Sequence, residues 1–165
     1  MDDTRLFTVL LIIGGVLGVR WAMGYARGVR LKQWWRRAEE AMAAGDLERA
    51  QKALRKCVSV MPTWVPGRML LGAVLAKNGN LTGAEEQLSL GAQLTPRRFE
   101  GHFQLGMFYA TFFDNRMDEA VESLSTAVDL NPPLREKLAA EASLRTLREH
   151  EPFRRLLEEP TEARD

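Results

Sequence analysis

The chain has 165 residues, 45% hydrophobic and 8% aromatic, with a formal net charge of +1. That length suits one ordinary domain, and a composition with Leu, Ala, Arg and Glu prominent suits a helical protein. Cys57 is the single cysteine, which excludes an internal disulfide and a cysteine-built metal site.

The small net charge hides an asymmetry. Residues 20–37 carry Arg20, Arg27, Arg30, Lys32, Arg36 and Arg37 with no acid, whereas the chain from Glu39 onward holds 16 basic and 20 acidic residues. After a short tail, 1–5, the stretch 6–19 has no charge, and extension to Ala26 admits only Arg20. A membrane-crossing helix needs about 20 residues, so 6–26 is expected to form an uncleaved anchor. Arg20, Trp21, Tyr25, Arg27 and Arg30 would lie at the interface, where arginine snorkels and aromatic rings sit among headgroups. Gly14, Gly18, Ala22 and Ala26 recur four apart, a small-residue stripe suited to packing against another membrane helix. Asp2 and Asp3 precede the apolar run and the cations follow it. That order predicts a single-pass protein of a bacterial inner membrane with its carboxy-terminal part in the cytoplasm.

From residue 27 the chain repeats itself. "GDLERAQKAL" at 45–54 matches "GNLTGAEEQL" at 79–88, an offset of 34. In rows of that length Gly45 aligns with Gly79, Ala50 with Ala84, Leu54 with Leu88 and Pro62 with Pro96. Upstream, Ala38, Gly72 and Gly106 align, as do Ala41, Leu75 and Tyr109. A third row continues after two extra residues between Thr111 and Ala120, so that Ala120, Leu124, Ala127 and Pro132 take the places of Ala84, Leu88, Gly91 and Pro96. Each row predicts two helices. The first ends in a left-handed Gly or Asn cap; the second opens at Asp46, Asn80 or Asp118 and stops before proline. Small residues at 38, 72 and 106, and at 50, 84 and 120, let the paired helices approach.

Period, small residues and terminal proline together resemble the tetratricopeptide repeat, about 34 residues long. The resemblance implies an all-α helical-hairpin solenoid of about three units (31–64, 65–98, 99–134, within 27–132). Row one departs at Arg37, where Leu71 and Leu105 stand in the other rows. Residues 133–159, with Leu134, Leu138, Leu144, Leu147, Phe153, Leu156 and Leu157 among many charges, are expected to cap the stack as an amphipathic helix, a break before Pro152 and a last short helix. Residues 160–165 are expected to fray.

No catalytic, cofactor or metal signature emerges. His102 aligns with Trp34 and Arg68, a packing position; His150 lies among charges and suits solvated surface; Cys57 aligns with Gly91 and Ala127, a place for a small buried residue. Paired acids such as Glu85 and Glu86 suit solvated helix faces. The expectation is a non-enzyme without cofactor or metal. In the family resembled, first helices line a concave face that binds peptides. The inward positions map to Trp35, Met69 and Phe103, with Arg36, Leu70 and Gln104 beside them and Glu39, Ala73 and Met107 a turn later. Such a surface suits a protein or peptide partner and not nucleic acid. The implied function is a membrane-anchored scaffold or assembly subunit. An alternative is a regulator that recruits a membrane enzyme to a protease, a layout similar to the lipopolysaccharide assembly protein B family.

Overall fold

The computed structural model describes residues 3–158, with side chains from residue 17 onward. It is all-α, with no strand among the described residues. Two compact units are formed, Met1–Pro62 and Thr63–Asp165.

The first unit is a hairpin of α1 (Asp3–Ala43) and α2 (Leu47–Val60). Its turn follows from three residues. Gly45 adopts φ +71°, a conformation glycine reaches without steric cost. The Asp46 amide then donates back to Ala41 O at 2.9 Å, satisfying an orphan carbonyl of α1. The Asp46 side chain accepts from Arg49 N at 2.9 Å, capping α2. Ala50, Ala53, Leu54 and Cys57 of α2 are buried, as are Ala38 and Ala41 of α1.

Two further hairpins build the second unit. In the first, α3 (Val65–Lys77) and α4 (Leu81–Leu94) repeat the same turn: Gly79 at φ +79°, Asn80 N donating to Leu75 O at 2.9 Å, and the Asn80 side chain accepting from Gly83 N at 2.9 Å. The second pairs α5 (Phe99–Phe112) with α6 (Met117–Leu130). Close approach is extreme at the aligned glycines. A Cβ on Gly72 would lie 2.6 Å from Leu88 Cγ, and one on Gly106 2.7 Å from Leu124 Cγ. Between hairpins, a Cβ on Gly101 of α5 would lie 2.7 Å from Ala92 Cα of α4. The end is closed by α7 (Leu134–Ala140), two 3-10 turns (Ala142–Leu144 and Leu147–Glu149) and α8 (Glu151–Glu158). Leu134, Leu138, Leu144, Leu147, Phe153 and Leu156 are all buried there, and Arg135 Nε donates to Leu156 O at 2.9 Å, joining α7 to α8. The final break falls at the extended His150, just ahead of Glu151-Pro152.

Two sequence expectations need correction. The third hairpin has no glycine cap and no polar cap: α5 ends at an extended Phe113, and Arg116, not Asp118, is the residue before α6. Asp118 sits inside the first turn instead. Of the two extra residues of row three, one lengthens α5 (14 residues against 13 in α3) and one lengthens the loop, 113–116 against 78–80, whose geometry is set by side chains from elsewhere.

The membrane anchor is also overturned. Among the described residues no helix is long and apolar enough to cross a membrane. The uncharged run, 6–19, is 14 residues, or about 21 Å of helix against a hydrocarbon core of about 30 Å. Beyond it α1 carries Arg20, Arg27, Arg30, Lys32, Arg36 and Arg37 in one uninterrupted helix, so the run cannot be lengthened on this side without taking in Arg20. The inner-membrane location and cytoplasmic orientation inferred from that anchor fall with it. Gly14, and the side chains of residues 6–16 generally, lie outside the described residues, as do 160–165. Gly18, Ala22 and Ala26 are exposed, and a Cβ on Gly18 would meet nothing within 4 Å.

Candidate partner-binding surface

Repeat position, not sequence distance, gives the candidate residues of the second unit equal places on two touching helices. Met69 and Phe103 occupy equal places on α3 and α5, as do Ala73 and Met107 one turn on, and these helices are in contact. All four side chains are half-buried, as is Leu70; Gln104 is exposed. Neighbouring positions on the same helices, Leu71, Leu75, Phe108 and Tyr109, are buried. Thus each helix keeps one apolar face inside and leaves a second apolar face partly open.

Packing claims part of that open face. Met69 Cγ lies 3.5 Å from where a Cβ on Gly91 would sit, so its stem leans on α4. Lys137 Nζ of α7 stands 5.0 Å over the Phe103 ring, a cation–π contact that ties the closing segment to this position. Sequence reasoning placed Phe103 on an apolar strip; the lysine that ends the strip comes from the cap and carried no repeat signal.

Trp35, Arg36 and Glu39 belong to the first unit. Trp35 is half-buried; Arg36 and Glu39 are exposed, and Arg36 pairs with Glu40 at 3.3 Å. Trp21 and Tyr25 are exposed with their rings stacked at 5.8 Å, and Arg30 Nε reaches Ala26 O at 3.4 Å. Arg27 and Arg30 border an open hollow of about 440 Å3 with Ser59, Val60 and Pro62. Arg20 is exposed.

A polar cluster that the sequence did not announce holds α4 to the third hairpin. Arg116 Nη1 and Nη2 donate to the two Glu85 oxygens, each at 2.9 Å, and Arg116 Nε donates to Glu119 at 2.9 Å. Tyr109 OH donates to Glu85 at 2.8 Å, while the guanidinium lies 4.3 Å over the Tyr109 ring and 5.3 Å over Phe113. The Arg116 hydrogen bonds hold the Glu85 carboxyl below its usual range, against the opposing effect of burial. Burial pushes the Tyr109 phenol up, and the Glu85 carboxylate beside it adds to that. Glu85 is therefore an anchored carboxylate rather than a solvated one; its partners lie 24 and 31 residues further on, offsets that match no repeat of 34.

The remaining titratable candidates settle as structure. His102 Nε2 lies 3.3 Å from Pro96 O. His150 is not simply solvated: it meets Asp118 at 2.8 Å with its side chain 31% exposed, linking the cap to α6. Cys57 is fully buried, and desolvation pushes its thiol up, which disfavours the reactive thiolate.

Comparison with known proteins agrees with this architecture. A tetratricopeptide-repeat family model matches residues 33–63. Solved structures that superpose on the chain include an O-GlcNAc transferase mutant from Thermobaculum terrenum (TM-score 0.57, 23% identity, 70% of this chain) and a MamA protein (TM-score 0.61, 20% identity, 74% of this chain). A MamA fragment from Desulfovibrio magneticus RS-1 aligns with a TM-score of 0.56 at 21% identity over 78% of this chain. The chain spans 23% of the transferase and 64% of that first MamA structure. No curated protein sequence matches it. At these identities the likeness speaks to fold, and it supports the tetratricopeptide-repeat class.

Proposed function

We propose that the chain is a protein-binding scaffold whose recognition surface in the second unit centres on Met69, Ala73, Phe103 and Met107. One observation carries the reading: in two successive rows the same repeat position holds a large apolar side chain that is only half-buried, although its helix already has a buried apolar face. Tetratricopeptide repeats point to protein–protein interaction, and flexible Met beside aromatic rings suits an apolar helix or extended segment laid across them. Gln104 and Lys137 supply polar margins. Nothing in this chemistry calls for a nucleophile, a cofactor or a metal. The regulator alternative depends on a membrane anchor and is left without its premise.

Peptide selection on the immobilised full chain tests the reading. Selected peptides are expected to share apolar anchors and to lose about tenfold or more in affinity to Met69→Glu, a substitution at a half-open site. Peptides that bind Met69→Glu and Phe103→Ala as well as the parent chain would place recognition elsewhere.

A further inference from the structure

The first hairpin leaves open the side on which the third hairpin receives a helix. In the second unit α5 is covered by the helix before it: Gly101 packs on the Ala92 backbone, and Tyr109 reaches Glu85. One and two rows earlier, Tyr109 corresponds to Leu75 and Ala41, Leu105 to Leu71 and Arg37, and His102 to Arg68 and Trp34. In the first hairpin this side is an open hollow of about 420 Å3, walled by Trp34, Arg37 and Ala41 of α1 and by Arg49, Lys52 and Ala53 of α2. No second helix precedes α1 among the described residues, because α1 continues as one helix back to Asp3.

Its chemistry specifies an occupant. Arg37 lies over the Trp34 ring at 4.6 Å, as Arg116 lies over Tyr109 at 4.3 Å, and the Arg116–Tyr109 pair grips a carboxylate projecting from the neighbouring helix. The two acids of the hollow are already engaged: Glu40 with Arg36 at 3.3 Å, and Asp46 with Arg49 at 3.1 Å while it caps α2. Arg37 and Lys52 are left with no described acid, beside the apolar floor of Ala41 and Ala53. An arginine at a position that is leucine in the other rows makes sense if a charge, not a leucine, must meet the incoming helix.

We infer that this side of the first hairpin docks an acidic amphipathic helix of a partner protein, small residues inward, with one carboxylate seated on the Arg37–Trp34 pair. The site is separate from the Met69–Phe103 surface and does not depend on it.

The probe is a synthetic α4 segment, residues 80–95, labelled with fluorescein and held helical by a staple on the face opposite Glu85, since an isolated helix of this length is marginal in water. Titrated with the full chain, it is expected to give saturable anisotropy. Arg37→Glu, at an exposed position, should weaken binding at least about tenfold, and a Glu85→Lys probe should recover it on the Arg37→Glu chain, as a direct ion pair requires. Met69→Glu should leave the probe bound. Absence of binding, or Arg37→Glu binding the unaltered probe as the parent does, would overturn the inference. So would sedimentation of the parent as a dimer that Arg37→Glu disperses, because a second copy would then occupy the face.

Discussion

The turn of the α3–α4 hairpin and the turn of the α5–α6 hairpin join equivalent helices by different means. The former is local: glycine at positive φ, then a polar residue that caps the next helix within three residues. The latter is tertiary: Arg116 reaches 31 residues back to Glu85 and stacks on Tyr109 on the way. A locally capped turn holds its shape whatever its neighbours do. A clamped turn holds only while α4 is in place, so it also fastens one hairpin to the next. Loss of the cap residues in row three is thus not a defect; their task has passed to a contact between rows.

If the two hairpins differ only in their turns, a change in their shared interior should damage both equally. Gly72→Val and Gly106→Val each drive a branched side chain into a leucine less than 3 Å away, and overpacking of this kind costs about 3 kcal/mol. Chemical denaturation should show nearly equal losses. A much smaller loss at Gly106 would mean that the clamped hairpin is the looser of the two.

The clamp itself is the next largest effect. Arg116→Met keeps much of the stacking volume but leaves Glu85 and Tyr109 without their cation. The two charged side chains are only 27% and 31% exposed, so the loss should be about 1 kcal/mol after solvent screening, with a coupling of similar size to Glu85→Gln in a double-mutant cycle. The sign with pH follows from the lowered Glu85 carboxyl. Its contribution is fully present above the ordinary value of 4.5 and is lost as pH falls through the depressed one. Arg116→Met should flatten that acid limb of the stability profile. At the other extreme the raised Tyr109 phenol contributes below the ordinary value of 10.0 and loses that contribution as pH rises through its elevated one.

The local turns should respond to local changes. Gly45→Ala and Gly79→Ala force a Cβ into the left-handed region and should each cost about 1 kcal/mol, although no neighbouring atom stands in the way. Equal losses would show that conformation alone is at work; a negligible loss at either site would show that the turn relaxes.

The contrast between the turns also explains what could be foreseen from sequence. The 34-residue spacing of Gly45 and Gly79, Leu54 and Leu88, and Pro62 and Pro96 reports on hairpins because the interactions it encodes span one turn of chain. Glu85, Tyr109 and Arg116 carry no such period, and their meeting depends on how α4 lies on α5. For the same reason Lys137 over Phe103 was not foreseeable: nothing near position 137 repeats. At the amino terminus local composition misled, since an apolar run was extended across Arg20 into a stretch that is part of a repeat helix. The candidate positions Met69 and Phe103 were legible as a pair through the period, whereas their half-open state required the packed structure.

The smallest effect concerns Asp118, which sequence alone would make the cap of α6 by analogy with Asp46 and Asn80. Asp46→Ala should cost about 1 kcal/mol, because the Arg49 amide loses its acceptor at the first turn. Asp118 accepts no amide bond of this kind: it lies one residue inside α6, its side chain is 84% exposed, and its described contact is His150 at 2.8 Å. What Asp118→Ala removes is a favourable charge near the helix amino terminus and one exposed pairing, both weakened by water and salt. The expected loss is less than half that of Asp46→Ala, and it should shrink further at high salt, which the Asp46 cap, a short hydrogen bond to backbone, should resist. Equal losses from the two substitutions would show that Asp118 does cap α6 in solution, and the third turn would then be a local one like the others.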